Sequence, residues 1–523
     1  MSRQDVAVDQ EVLSLVLEAF SDVLEEDDLP EDVPFTVLGG SSLDGTLVCA
    51  RVGNELGFPV PLSLLASHPT AQGFATALTL DLALDRARAA EEQPAVPEPA
   101  AEPGPATVRL TPMQTSFLTQ HLMDPADHAP HLLFTWTLTG PLDRPALRAA
   151  LQDVHHRHDP LNSRYLARRQ AVAEPGAAAE VELLELPEAT TGAAALDSTR
   201  TALSGGLDLA AGRVWRVALA RAADTGDHVL RVLAHHIAFD GWSESVLAAD
   251  LGASYDARLR GQRAELPPVA GAAARAGLRE RQERLRQAEL ERQLAFWKQT
   301  LAGTPELVFP AADGSGQARF TTTLDDGELA AVDALAARHG VTRFAVLLTV
   351  YDRALAETTG QRDYGVGFPV ARRWDPALAN VIDCCVDSLC LRMEPATRYG
   401  TVDLGEALRA TAARLSAAYA ATDVSFPEVV RWLNPPRTGR APLFQNMFAL
   451  QDNAVGELRM RDLVARRVVE PYLGLPTELH TEVTPLGEGR LTVSVSCDRG
   501  RVPEDTARGL FDAFLRLTRA LPA

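Results

Sequence analysis

The stretch DRARAAEEQPAVPEPAAEPGPA, residues 85–106, constrains the fold of this chain more than any other. It is crowded with Pro, Ala and Glu and nearly free of large apolar residues, so it cannot bury a core and reads as an extended linker. At roughly 3 Å per residue, such a segment reaches about 60 Å. The 523 residues therefore divide into a small module, residues 1–84, and a body, residues 107–523. That division agrees with the roughly two to four domains expected for this length.

Composition places both parts among globular proteins. Apolar residues make up 46% and charged residues 23%, enough for a sizeable core. The net charge of −20 repels nucleic acid and anionic lipid, so neither is an expected partner. The five cysteines, Cys49, Cys384, Cys385, Cys390 and Cys497, form neither an even disulfide framework nor a pair of CxxC motifs. No metal site is expected, and a reduced, cytoplasmic setting is. The first residues, MSRQDVAVDQEVLSL, lack the basic and apolar regions of a signal peptide, and no apolar run is long enough to span a membrane.

In the module, Val12, Leu13, Val16, Leu17, Phe20, Val23 and Leu24 recur at helical spacing and predict a first helix. SSLDGTLVCARVGNELG predicts a second and TAQGFATALTL a last one. The body mixes strands and helices. LLFTWTLTG followed by PLDRPALRAALQDVHHRH reads as strand, turn and helix, and RFTTTLDDGELAAVDALAARHG repeats the pattern. Both copies contain Phe-Thr-x-Thr-Leu, starting at Phe134 and at Phe320, about 186 positions apart. Two similar α/β lobes follow from that repeat. The proline-free stretch at about 270–301 predicts helix between them.

Two stretches carry chemistry. In FTVLGGSSLDG, residues 35–45, two glycines allow a sharp turn and two serines precede a helical pattern. One of those serines can cap the helix, or the helix start can hold an anion through its dipole and free N–H groups. In LAHHIAFDGWS, residues 233–243, a β-branched apolar run at 228–234 predicts a buried strand. A helix is expected from Gly241, with Ser243 as its cap and Glu244 near its start. His235, His236, Asp240 and Gly241 therefore lie on a strand-to-helix loop. Adjacent residues leaving a strand point opposite ways, so one histidine can face a channel and the other the protein. Gly241 permits a backbone closed to other residues, and Asp240 can fix the loop or pair with an arginine. From the residues alone, a core histidine pair and a catalytic loop both remain open.

Taken together, the module resembles a peptidyl carrier domain and the body a condensation domain of a nonribosomal peptide synthetase. The carrier signature LGGxS is matched at Leu38, Gly39, Gly40, Ser41 and Ser42, and VPLSLLASHPTAQGFATAL, residues 60–78, matches the end of the carrier fold. Asp44-Gly45 departs from it. The sequence HHxxxDG stands at residues 235–241. Around it, RLTPMQTSFL (109–118), RHDPLNSRY (157–165), GFPVARR (367–373) and RTGRAPLFQNMFALQD (437–452) follow in family order. DCCVDSLCLR (383–392) departs, with Asp387 where the family has Asn, and TDVSFPE (422–428) is a degraded motif.

The resemblance implies a four-helix carrier followed by a two-lobe, pseudo-dimeric body of the chloramphenicol acetyltransferase type, dividing at 285/286. It implies 4′-phosphopantetheine on Ser42, His236 as the reactive side chain, and His235, Asp240 and Gly241 in support. Arg373 of the second lobe is expected to pair with Asp240. The implied activity is transfer of a donor acyl thioester to the amine of an aminoacyl thioester on a downstream acceptor carrier. The implied partners are that carrier, the adenylation domains of the same assembly line and a phosphopantetheinyl transferase; apart from the resemblance, a monomer needs no special assumption and is the expected state. A noncatalytic recruitment platform of the same fold, and epimerising or ester-forming variants, are the alternatives.

Overall fold

Asp9 accepts a hydrogen bond from the N–H of Glu11 and caps α1 (Gln10–Leu24), the first element of the computed structural model. The structure describes residues 9–40, 42–56, 60–91, 107–177, 180–285, 287–373, 375–451, 457–487 and 490–522. Helices α2 (Ser42–Leu56), α3 (Leu62–Ser67) and α4 (Ala71–Glu91) complete the four-helix module around Val16, Phe20, Phe35, Val48, Val52 and Phe74. The rings of Phe20 and Phe35 meet edge to face at 4.7 Å. Helix α4 runs to Glu91, into the segment expected to be extended. Residues 85–91, DRARAAE, are mostly strong helix formers, and the first proline comes only at Pro94. Residues 92–106 lie outside the described residues.

The first lobe contains β1 (Val108–Arg109), α5 (Pro112–Met123), β2 (His131–Thr139), α6 (Arg144–Arg157), β3 (Arg164–Ala167), β4 (Ala171–Glu174), β5 (Glu182–Glu185), α7 (Gly192–Ala202), β6 (Trp215–Arg221), β7 (His228–His235) and α8 (Gly241–Arg258). Helices α9 (Ala272–Leu285) and α10 (Gln287–Leu301) lead to the second lobe. There follow β8 (Gln317–Leu324), α11 (Asp326–His339), α12 (Arg343–Thr359), β9 (Tyr364–Ala371), β10 (Val386–Met393), α13 (Leu404–Tyr419), α14 (Phe426–Leu433), β11 (Asn446–Leu450), β12 (Val464–Val468), β13 (Leu479–Gly487), β14 (Arg490–Asp498) and α15 (Glu504–Arg519).

The expected duplication is visible in strand pairing. The first-lobe sheet has the order β12-β2-β7-β6-β5 and the second β10-β9-β11-β13-β14-β8. In both, two antiparallel pairings are followed by a parallel one: β2·β7·β6·β5 matches β8·β14·β13·β11. The repeated Phe-Thr-x-Thr-Leu segments lie in β2 and β8. The match breaks at β12, a second-half strand that pairs with β2 and covers its edge. Glu470, just after β12, accepts from Thr135 at 2.5 Å and from Arg231, while Arg467 pairs with Glu244 of α8. A division at 285/286 therefore does not describe which sheet each strand joins.

The first lobe has its own apolar core. The core of the N-terminal four-helix module runs into that of the second lobe. Val37 packs against Gly340 at the end of α11, and Ser63 of α3 reaches Asp423 just beyond α13.

Candidate active site

Strand β7 is buried along its whole length, and it delivers two histidines into different surroundings. His235 turns inward. Its Nδ1 accepts from the N–H of Ile237 at 3.0 Å, and its ring lies 5.5 Å from that of His131 and 5.6 Å from that of His121. Its Nε2 is buried and has no hydrogen-bond partner among the described residues. Burial first, then the neighbouring histidines, hold His235 well below the usual histidine range. Burial likewise pushes His131 down to about 4.

His236 faces a cavity of about 1190 Å³. Its Nδ1 donates to the carbonyl of Phe239 at 2.9 Å. A carbonyl can only accept, so Nδ1 carries the proton of the neutral ring and Nε2 keeps the lone pair. Burial lowers the pKa of His236, against smaller raising effects from Asp240 and the Phe239 carbonyl. The ring is therefore neutral at pH 7 and able to accept a proton. Phe117 of α5, also at the cavity wall, stacks on it with centroids 5.2 Å apart and planes 4° from parallel.

Asp240 is buried, and its carboxylate collects donors from both lobes. Oδ1 accepts from Ser243 N at 2.9 Å, Ser243 Oγ at 2.7 Å and Arg373 Nη2 at 2.8 Å. Oδ2 accepts from Cys385 N at 3.0 Å and Arg373 Nε at 3.3 Å. The expected pair with Arg373 is thus present. Arg373 also donates to the carbonyls of Leu378 and Val381. Burial works against its charge, but Asp240 and its neighbours outweigh that and hold Arg373 firmly protonated. Gln114 of α5 ties the loop further, donating to the Ile237 carbonyl at 3.0 Å and to Asp383 at 3.2 Å.

Two local expectations are corrected. The cap of α8 is Asp240, with Ser243 as the reciprocal partner three residues on. Asp outcompetes Ser here because its carboxylate serves the helix start and Arg373 together. Gly241 is not among the glycines with positive φ; it opens α8 in ordinary helical backbone and lines the cavity, where a side chain would take up space.

The carrier module reaches the same cavity. Ser42 is the first residue of α2, and Gly39 and Asp44, on either side of it, line the cavity together with Gly45 and Thr46. Gly39 needs its φ of 97°, and a Cβ on Gly40 would meet the ring of Phe35 at 2.2 Å. Gly45, which departs from the carrier pattern, also has a structural reason: a Cβ there would lie 2.9 Å from Leu62 of α3.

A family model described as "Condensation domain" matches residues 106–481, and one described as "Phosphopantetheine attachment site" matches residues 14–78. The chain belongs to the condensation-domain family. Its carrier module holds the phosphopantetheine attachment site of that assembly, and the residues fit such an arm, since Ser42 begins a helix whose flanking residues open onto the cavity. The chain is similar to cyclosporin synthetase from Tolypocladium inflatum, 29% identical over 97% of this chain and 3% of that protein. It is similar to the isonitrile lipopeptide synthase of Mycobacterium tuberculosis, 36% identical over 63% of this chain and 14% of that one. A dimodular nonribosomal peptide synthase of Bacillus subtilis is 28% identical over 97% of this chain and 21% of its own length. The chain thus spans a small part of these curated relatives. Among solved structures, the starter condensation domain of rhizomide synthetase shares the fold with a TM-score of 0.68 at 19% identity, covering 80% of this chain and 95% of that one. The X-domain from teicoplanin biosynthesis does so at 0.67 and 22%, covering 82% and 98%.

Sequence reasoning missed Phe117, His131 and Asp383. Phe117 and Gln114 lie in a quoted motif but carried no assignment; nothing in the spacing says which side chain of α5 meets His236. Among the described residues, no three His, Cys, Asp or Glu side chains are grouped to hold a metal ion, and no helix is long and apolar enough to cross a membrane.

Proposed function

We propose that this chain forms peptide bonds in nonribosomal peptide synthesis, passing a donor acyl group from its own carrier module to an amine held on a downstream acceptor carrier. The observation that carries this reading is the cavity that joins His236, whose Nδ1 proton goes to the Phe239 carbonyl and leaves the lone pair on Nε2, to the residues flanking Ser42. When attached to Ser42, the phosphopantetheine arm supplies a thiol that holds the donor as a thioester.

His236 would accept the proton of the attacking amine at Nε2 as the carbon–nitrogen bond forms, or orient that amine; the thioester carbon–sulfur bond breaks in the same transfer, and the proton passes to the departing sulfur. Base catalysis of this kind contributes about 10²–10⁴-fold, and positioning alone contributes too. Asp240 and Arg373 hold the loop that carries His236. Phe117 keeps its ring plane. The apolar wall, with Trp242, Phe344 and Phe444, excludes water that would hydrolyse the thioester. An adenylation domain and a phosphopantetheinyl transferase are required partners of this scheme.

The test is mass spectrometry of the intact chain after treatment with a phosphopantetheinyl transferase and an aminoacyl-CoA. The aminoacyl-pantetheine mass appears on Ser42 and is absent from Ser42→Ala. An added amine acceptor then removes the acyl group faster than water does. Loading without transfer across a broad set of donors and acceptors would favour a noncatalytic platform.

A further inference from the structure

The carrier module meets the second lobe through a buried polar contact at α3. Ser63 of α3 is 2% exposed, and its Oγ lies 3.0 Å from Oδ2 and 3.2 Å from Oδ1 of Asp423. A hydroxyl has one proton, so this is a single hydrogen bond shared by the carboxylate. Asp423 is itself fixed from within the body. Gln293 of α10 donates from Nε2 to Oδ2 at 2.9 Å and accepts the Asp423 N–H at Oε1 at 3.0 Å. Trp297 donates to the carbonyl of Ala421 at 2.9 Å, and Arg372 to that of Asp423 at 2.6 Å. Second-lobe groups therefore set the loop, and its carboxylate faces the carrier. Beside it, Thr46 and Leu62 meet Ala371, Arg372 and Thr422 across a narrow crevice, and Ser416 of α13 approaches the Ala66 carbonyl at 3.5 Å.

We propose that Asp423, held by Gln293, is the docking residue for the carrier module. It recognises the Ser63 hydroxyl and seats the carrier so that the start of α2 opens onto the cavity of His236. This inference rests on the transfer reading above and names how the donor carrier is recognised. A carrier with a hydrogen-bond donor at this place on α3 is accepted. One with a carboxylate there meets Asp423 as a like charge and is turned away.

The test uses the full chain loaded on Ser42, with Ser63→Ala, Ser63→Asp and Ser63→Thr. Transfer from the chain's own carrier is compared with transfer of the same donor supplied as an N-acetylcysteamine thioester, which needs no docking. Losing a hydrogen bond to a charged acceptor weakens docking about tenfold. Carrier-borne transfer is expected to fall by up to that factor in Ser63→Ala and further in Ser63→Asp. It stays near wild type in Ser63→Thr, which keeps the hydroxyl. Transfer from the free thioester is the same in all four proteins. Equal carrier-borne rates in wild type, Ser63→Ala and Ser63→Asp would overturn the proposal. If wild type transfers from neither donor, the transfer reading has failed, and docking is judged separately. Cysteines placed at Ala66 and Ser416 form a disulfide under mild oxidation, with a yield several-fold lower when Ser63→Asp is added. An equal yield in both backgrounds overturns the docking role.

Discussion

Strands β7 and β14 occupy the same place in their sheets. Each pairs antiparallel with a repeat-bearing strand on one side and with the next antiparallel strand on the other, and each runs into a helix. After β7 the loop is His-Ile-Ala-Phe-Asp, closed by an Asp240 cap that binds an arginine of the other lobe. After β14 it is Arg-Gly-Arg-Val-Pro, with Pro503 at the cap position and no side-chain cap hydrogen bond. The duplicated fold therefore carries one histidine loop and not two. The second lobe contributes from a different place, the ends of β9 and β10, where Arg373 and the Cys385 N–H meet Asp240. We therefore place the proposed chemistry on the loop and its cross-lobe support, not on the repeat.

That contrast can be broken in steps. His236→Ala should cost the most, roughly 10²–10⁴-fold in transfer rate with the fold intact; the check is single-turnover transfer beside a melting curve. Arg373→Met leaves Asp240 charged and buried. It should cost about 3–5 kcal/mol of stability, read from denaturant unfolding, and lower transfer as the histidine loop loosens. Smaller is the effect of Phe117→Leu, which removes the stacked ring. A loss of about 0.5–1.5 kcal/mol, up to tenfold in rate, is expected together with a displaced pH profile, because the surroundings of His236 change. On the matching loop of the second lobe, exposed Arg501→Ala should stay within about 0.5 kcal/mol and leave transfer as it was. A large loss there would mean that both loops take part.

Acid bears on the buried histidines around the β7 loop as well. His131, His235 and His236 have folded-state pKa values below the ordinary value, with burial as the main cause. Between the lowered and ordinary values the unfolded chain binds more protons, so stability falls as pH drops below about 6.5, by up to ~1.4 kcal/mol per pH unit for each histidine. The share of His131 continues down to about pH 4. Above pH 6.5 these groups add no slope. The transfer rate should likewise hold steady through pH 7 and fall only below the ordinary histidine range. A rate already halved at pH 7 would contradict a neutral His236.

Much of this arrangement was legible in the chain because it is local or paired in a motif. The buried run before the histidines, the two glycines before Ser42 and the repeated strand–helix units all follow from short-range preference. The Asp240–Arg373 pair was expected from the family resemblance. The rest depends on distant partners. β12 is a short VARRV segment with basic residues, and only the open edge of β2 makes it a strand of the first lobe. The cap of α8 shifted from Ser243 to Asp240 because an arginine 133 positions away adds to its carboxylate. Phe117 has no local signal, since its partner is set by where α5 packs. The extended linker was expected to begin at residue 85, yet alanine-rich helix propensity carries α4 to Glu91.

The most direct test of the central claim follows the donor mass from Ser42 to a separate aminoacyl carrier, in wild type and His236→Ala, by time-resolved intact-protein mass spectrometry. The donor should leave Ser42 and appear on the acceptor in wild type, while the variant stays loaded over the same time. Equal transfer in both proteins would remove His236 from the chemistry and contradict the account of this site.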